Sequence, residues 1–143
     1  MGERGTFARY AMNGKKILIV EDNAIVALET KERLTRLGYS ITGVIGTGSD
    51  AIRIARTTCP DLILMDIRIK GDLDGIGVAE KIAEFCTAKV IFITAYSNDE
   101  TLARAQKMHP VAYLVKPYKE QMLYSAIEQA LGKGDTGDLP GGA

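Results

Sequence analysis

The chain has 143 residues, which is enough for one sizeable core and too few for two ordinary domains. Its 18 basic and 18 acidic side chains cancel, which argues against a protein that binds nucleic acid or an anionic membrane through bulk charge. No apolar run approaches the roughly 20 residues that span a bilayer and residues 1–16 lack the apolar centre of a secretory signal, so we expect a cytoplasmic, soluble protein.

Short β-branched apolar runs alternate with longer amphipathic stretches along the chain. Residues 16–20 predict a buried strand, and residues 24–37 carry apolar side chains near helical spacing before Gly38, a favoured residue after a helix. Residues 39–45 predict a second strand. Capping residues at 48–50 then predict a helix to about residue 56, ended by Cys59-Pro60. The remaining predicted strands are 61–65, 89–94 and 111–115, and the remaining predicted helices are 76–85, 98–108 and 119–131.

These five strand–helix repeats predict an α/β fold. Continuous apolar strands separated by helices favour a parallel sheet covered on both faces, because parallel strands need crossover connections. The result is a doubly wound sandwich, in which functional residues gather beyond the carboxyl ends of the strands. Residues 1–14 are an extension before the first repeat, and the glycine-rich residues 133–143 predict a disordered tail.

The two cysteines, Cys59 and Cys86, stand far apart in the sequence. Neither belongs to a CxxC motif, and neither has a neighbouring histidine. We therefore expect small buried hydrophobic residues of a reduced cytosol and not a disulfide or a metal framework.

Polar side chains follow four of the predicted strands at the point where each strand ends. Glu21 and Asp22 follow the first, Asp66 the third and Lys116 the fifth, while Thr94 ends the fourth. Clustered carboxylates shift toward protonation unless a cation neutralises them, and an all-oxygen site suits Mg²⁺. A carboxylate there could attack a phosphoryl group whose charge is shared by the metal, an ammonium and a hydroxyl. Because it follows the central strand, Asp66 is the predicted nucleophile.

The sequence resembles the response regulator receiver domains, the CheY-like family, over about residues 15–132. The motifs that carry the resemblance are Val20-Glu21-Asp22-Asn23, Leu64-Met65-Asp66-Ile67, Asp74-Gly75, Ile93-Thr94-Ala95 and Val115-Lys116-Pro117-Tyr118. The resemblance implies a flavodoxin-like (βα)5 domain with strand order 2-1-3-4-5. It also implies a stand-alone phosphoacceptor switch that is not an enzyme but assists its own phosphorylation and dephosphorylation.

The resemblance assigns roles residue by residue. Glu21, Asp22, Asp66 and the backbone carbonyl of Arg68 would hold Mg²⁺, directly or through water. The remaining roles fall to Asp66 as the phosphorylated residue, Thr94 and Lys116 as phosphoryl contacts, and Thr94 and Tyr113 as switch residues.

The implied partners are proteins. The phosphoryl donor would be a sensor histidine kinase or a histidine phosphotransfer protein, and no direct nucleic-acid or membrane partner is expected. A downstream protein would bind the face made by the fourth helix, fifth strand and fifth helix. Because Leu123 and Ile127 predict the core side of the last helix, Met122 or Tyr124 is expected to be exposed on this face.

The sequence departs from the family pattern after the phosphoacceptor. The loop 67–74 lacks the proline that many receivers carry there and is one residue longer than the commonest spacing. Arg68 and Tyr96 occupy positions that, by the same resemblance, tune the loss of the phosphoryl group. Lys116-Pro117 is predicted to be a cis peptide, since the ammonium must turn back toward Asp66.

Three other functions fit the sequence less well. An aspartate-nucleophile phosphatase commonly has a second acid two residues after the nucleophile, where this chain has Arg68. An FMN-binding flavodoxin needs a phosphate-cradling loop after the first strand, where Glu21 and Asp22 would repel a phosphate. A degenerate receiver that serves only as a scaffold would not need the full set of chemical residues.

The single histidine, His109, precedes a proline and predicts a surface turn.

Overall fold

The computed structural model describes residues 14–132. It contains five strands and five helices in strict alternation. The strands are β1 Lys16–Val20, β2 Ser40–Ile45, β3 Leu62–Asp66, β4 Lys89–Thr94 and β5 Ala112–Val115, and the helices are α1 Ala24–Arg36, α2 Gly48–Thr58, α3 Gly75–Ala83, α4 Asp99–Gln106 and α5 Glu120–Leu131. The predicted extension 1–14, except for its last residue, and the predicted tail 133–143 lie outside the described residues.

The strands form one parallel sheet in the order β2-β1-β3-β4-β5. In the central strand β3, all five side chains are buried. This follows from helices on both faces, which leave an interior strand no solvent side and therefore require a continuous apolar run. The predicted α/β doubly wound sandwich and its strand order are confirmed.

The core consists of two layers, one on each face of the sheet. Alternate side chains of β1 point to opposite faces, so that Leu18 joins the layer under α2, α3 and α4 while Ile17 joins the layer under α1 and α5. Phe92 and Leu34 are among the largest fully buried side chains of the two layers, respectively. Helices thus cover both faces of the sheet, and the functional residues are expected in the loops at the ends of its strands.

Predicted element ends agree with the structure to within about two residues, and the differences have local causes. The α1 helix ends at Arg36, and Gly38 takes a positive φ of 98° that favours glycine. The cap of α2 is Thr47 and not a residue of 48–50, because the Thr47 hydroxyl accepts from the amide of Asp50 at 3.3 Å. Cys59 ends α2 in the left-handed region.

The expectation that the cysteines are unpaired is wrong. Cys59 and Cys86 form a disulfide, with Cα atoms 5.7 Å apart. Cys59 precedes β3 and Cys86 follows α3, and a βα unit returns the chain to the edge of the sheet from which it started. The separation of 27 residues is therefore about one βα unit, and this places the two side chains at the same edge.

Among residues 14–132, no helix is both long enough and apolar enough to cross a membrane.

Candidate functional site

The carboxyl edge of the sheet brings together the acidic residues that were predicted to form the site. Glu21 and Asp22 follow β1, and Asp66 is the last residue of β3. One ligand atom from each lies within 4.8 Å of the others. Asp66 is only 6% exposed and Glu21 8% exposed. Three carboxylates at this spacing, two of them buried, form a strongly negative cluster.

Lys116 supplies the positive charge of this cluster. Its ammonium donates to Glu21 Oε1 at 2.8 Å and lies 3.7 Å from Asp66 Oδ2. The lysine follows β5, which is two strands away from β3 in the sheet. The Lys116-Pro117 bond is cis, as predicted. One ammonium thus faces two buried carboxylates at once.

The electrostatics of the two buried acids diverge. The pKa of Asp66 is raised to about 6, because burial and the neighbouring Glu21 carboxylate raise it by more than the Arg68 amide and Lys116 lower it. Burial also acts upward on the pKa of Glu21, but hydrogen bonds from Lys116 and the Asn23 amide outweigh it, and the net pKa is lowered. Glu21 is therefore the better-compensated anion, and Asp66 is the poorly neutralised one.

Thr94 lies beside this cluster at the end of β4 and is completely buried. Its hydroxyl donates to the backbone carbonyl of Tyr96 at 2.7 Å and accepts from the Tyr96 amide at 3.2 Å. Tyr113 in β5 is half-buried, and its hydroxyl bonds with Ser97 Oγ at 2.8 Å. The two predicted switch residues therefore both contact the short segment that leads from β4 into α4.

The loop 67–74 begins directly after Asp66 and closes one side of the site. The Arg68 amide donates to Asp66 Oδ1 at 3.0 Å, and the Arg68 guanidinium lies 5.4 Å from the ring centroid of Tyr96. The backbone of Lys70 forms an isolated parallel β-bridge with Thr47, the residue before α2. Asp22 and the start of α4 also line the groove beside the loop, which has a volume of about 520 Å³.

Asp74-Gly75 packs the end of this loop onto the end of β3. The Asp74 carboxylate caps α3 by accepting from the Gly77 amide at 2.9 Å. The Gly75 amide donates to the carbonyl of Ile67 at 2.7 Å. A Cβ added at Gly75 would lie 2.2 Å from the carbonyl oxygen of Asp66, so this contact requires glycine.

Sequence reasoning missed one residue at this edge. Arg104 in α4 makes a two-point ion pair with Asp74, at 2.7 Å and 3.2 Å. Burial acts upward on the pKa of Asp74, but the Arg104 guanidinium and the Gly77 amide outweigh it and lower the pKa. The sequence carried no signal for this pair, because an arginine that forms an ion pair on the exposed side of a helix cannot be distinguished in sequence from a solvated one.

Other predicted residues lie apart from the site. His109 is exposed in the turn before β5, with a φ of 52°, as predicted. On α5, Leu123 and Ile127 are buried whereas Met122 is 54% exposed, which confirms the expected orientation of that helix.

Comparison with known proteins agrees with this geometry. The family model described as response regulator receiver domain matches residues 17–128. The chain is 36% identical over 119 residues to the transcriptional regulatory protein PdtaR of Mycobacterium tuberculosis, covering 83% of this chain and 58% of that protein. It thus spans less than two thirds of that relative's length. The chemotaxis protein CheY of Thermotoga maritima is 27% identical, with 81% of this chain and 97% of that protein covered.

Solved structures give the same result. The signal receiver domain of a modulated diguanylate cyclase from Desulfovibrio desulfuricans G20 is 38% identical with a TM-score of 0.76, covering 82% of this chain and 94% of that one. A CheY-like receiver domain protein from Methanospirillum hungatei JF-1 has the same TM-score at 27% identity, with 82% and 94% covered. The chain therefore belongs to the response regulator receiver domains of two-component systems.

Proposed function

We propose that Asp66 accepts a phosphoryl group from a sensor histidine kinase or a histidine phosphotransfer protein, in a Mg²⁺-dependent reaction that switches a protein-binding surface. The observation that carries this proposal is the position of Lys116, whose ammonium lies 2.8 Å from Glu21 and 3.7 Å from Asp66. A buried carboxylate beside one ammonium and a second acid is suited to nucleophilic attack on a phosphoryl group.

The reaction would transfer the phosphoryl group from nitrogen to oxygen. An Asp66 carboxylate oxygen attacks the phosphorus of a phosphohistidine, a P–O bond forms, and the P–N bond breaks with its electron pair left on the imidazole. The Lys116 ammonium and the Thr94 hydroxyl are donors at the same edge of the sheet and would bind the phosphoryl oxygens. All of these groups are on the sheet or directly after it, which keeps them rigid.

The acidic cluster fits Mg²⁺. Its donors are carboxylate oxygens, the class that Mg²⁺ prefers, and one ammonium leaves their charge only partly compensated. We propose that Glu21, Asp22, Asp66 and the backbone carbonyl of Arg68 hold the ion, directly or through water. When bound, the ion would neutralise the charge that builds up on the transferring phosphoryl group.

The proposed output surface is the face formed by α4, β5 and α5. Val115 and Met122 are exposed apolar residues on it, and Tyr113 in β5 is half-buried. Tyr113 also bonds with Ser97, close to Thr94, so a change at the phosphoacceptor edge would reach this surface through a short chain of contacts. A downstream protein that binds one arrangement better would in turn favour phosphorylation.

The test is labelling with acetyl phosphate and Mg²⁺, followed by mass spectrometry of the intact protein. We expect the mass gain of one phosphoryl group in the native chain and none in Asp66→Asn. Asp61→Asn, at the opposite edge of the sheet, is the matched control and should label like the native chain. Equal labelling of Asp66→Asn, or no labelling of the native chain under conditions that label a control receiver, would contradict the assignment.

A further inference from the structure

An ion pair joins α4 to the loop that begins at the phosphoacceptor. Arg104 in the last turn of α4 donates to both carboxylate oxygens of Asp74, at 2.7 Å and 3.2 Å. Among residues 14–132, this is the one salt bridge that a residue of α4 makes. Ala105 is the one buried residue of α4, so apolar packing holds this helix weakly and polar contacts matter more.

The partner of Arg104 leads directly to the phosphoacceptor. Asp74 caps α3, and the next residue, Gly75, donates to the carbonyl of Ile67 at 2.7 Å. Gly75 also packs so closely on the Asp66 carbonyl that a Cβ would lie 2.2 Å from it. Arg104 therefore ties α4 to the backbone of the phosphoacceptor through two consecutive residues.

The other end of α4 is tied to the site through Thr94. The Thr94 hydroxyl donates to the Tyr96 carbonyl, and Asn98, two residues later, caps α4. A hydroxyl has one proton and cannot donate to Tyr96 and to a phosphoryl oxygen at the same time. The Tyr96-bonded arrangement, in which Thr94 donates to Tyr96, therefore competes with phosphoryl binding, and a change in this hydrogen bond acts on the start of α4.

We propose that Arg104 is a positioning residue whose ion pair with Asp74 holds α4 in the Tyr96-bonded arrangement and so opposes the phosphorylated one. This inference rests on the function proposed above. The plain alternative is a half-exposed surface pair with no effect on switching, since the side chains of Arg104 and Asp74 are 43% and 35% exposed. The two readings differ in what they predict for binding of a phosphoryl mimic.

Titration with beryllofluoride and Mg²⁺, followed by NMR, tests the proposal. We expect Arg104→Gln to bind beryllofluoride about fivefold more tightly than the native chain, equivalent to about 1 kcal/mol. Asp74→Asn should do the same, since asparagine keeps the oxygen that caps α3 and loses the charge. Arg104→Lys should lie between, because a lysine cannot make the two-point contact. Arg53→Gln, which removes an exposed ion pair with Asp50 on α2, is the matched control and should change nothing.

Two further readouts separate positioning from simple loss of stability. The double variant Arg104→Gln, Asp74→Asn should bind no more tightly than either single variant, because one interaction is removed in all three. Without beryllofluoride, α4 amide shifts in Arg104→Gln should move along the line toward those of the saturated native chain. A melting curve for each variant checks that it is folded, and Arg104→Lys keeps the test informative if the glutamine variant is not.

The outcomes are distinct. A native chain that fails to bind beryllofluoride contradicts the proposed function and this inference together. Native binding combined with equal or weaker binding by Arg104→Gln and Asp74→Asn overturns the inference alone. Additive effects in the double variant would do so too.

Discussion

The amino edge of the sheet, where the parallel strands begin, and the carboxyl edge, where they end, differ in how fully their charged groups are compensated. At the amino edge, the Cys59–Cys86 disulfide joins the ends of one βα unit, and Asp61 accepts from the Lys16 amide at 2.7 Å. The Lys89 ammonium there donates to the last turn of α5 at 2.8 Å. At the carboxyl edge, two buried carboxylates share one ammonium. The polar groups named at the amino edge are hydrogen-bonded, whereas the two buried carboxylates at the carboxyl edge carry negative charge that Lys116 compensates only in part.

This difference shows where the fold gains stability and where it gives stability up. A buried carboxylate that is poorly neutralised destabilises a folded protein, but it is also ready to bind a cation and attack an electrophile. The Cys59–Cys86 disulfide closes a loop that contains Asp66, Arg68 and Asp74. The amino edge thus fastens the ends of the segment whose middle carries the proposed chemistry.

Breaking the amino edge should cost the most stability. Reducing the Cys59–Cys86 disulfide should lower the free energy of unfolding by about 3 kcal/mol, because the unfolded chain is released from a closed loop. Denaturant unfolding with and without a phosphine reductant measures this. Cys59→Ser, Cys86→Ser is the control and should match the reduced native chain with no response to reductant. Acetyl phosphate labelling of Asp66 should persist in all forms, whereas an unfolding energy unaffected by reduction would refute the prediction.

A change at the carboxyl edge that touches only backbone should come second. Gly75→Ala should lower the free energy of unfolding by roughly 2 kcal/mol, because the new Cβ meets the Asp66 carbonyl at 2.2 Å. Beryllofluoride affinity should fall as well, since the strand end that carries Asp66 must shift. Gly46→Ala is the control, because its Cβ would meet Asp22 at an ordinary 3.8 Å. Equal stability of the two variants would mean that the α3 start is not held against Asp66.

Removing charge from the carboxyl edge should have the opposite sign. The pKa of Asp66 is raised from 3.8 to about 6, so the folded chain binds this proton more tightly than the unfolded chain does. The cost of ionising Asp66 therefore grows as pH rises through this interval and is complete at neutral pH. Asp66→Asn without metal should raise the free energy of unfolding by about 1 to 2 kcal/mol at neutral pH.

Three comparisons define this effect. The gain should vanish at a pH below both values, where Asp66 is protonated in either state, and saturating Mg²⁺ should stabilise the native chain more than the variant. Glu21→Gln should destabilise instead, because the pKa of Glu21 is lowered and its charge is bonded to Lys116. A loss of stability in Asp66→Asn at neutral pH without metal would show that Lys116 compensates the charge of Asp66 fully.

Much of the fold and the site was predictable because both depend on local patterns. Continuous apolar runs indicated the buried strands and helical spacing indicated the helices, and their alternation implies a parallel sheet. The carboxyl ends of parallel strands share one edge, so Glu21, Asp66 and Lys116 could be placed together before any distance was known. The resemblance to receiver domains supplied the strand order, and it supported the cis peptide that was predicted from the turn of Lys116 toward Asp66.

What the sequence alone could not determine is pairing between segments whose spacing carries no local signal. The Cys59–Cys86 disulfide depends on a βα unit that brings the chain back to its starting edge, and an isolated cysteine pattern does not reveal that return. The pair Arg104–Asp74 depends on the fold, which brings α4 close to the end of the loop 67–74 across 30 residues of chain. The sequence determined the elements and the chemistry at the strand ends, whereas tertiary structure chose these partners, because a side chain's partner is set by distance in space.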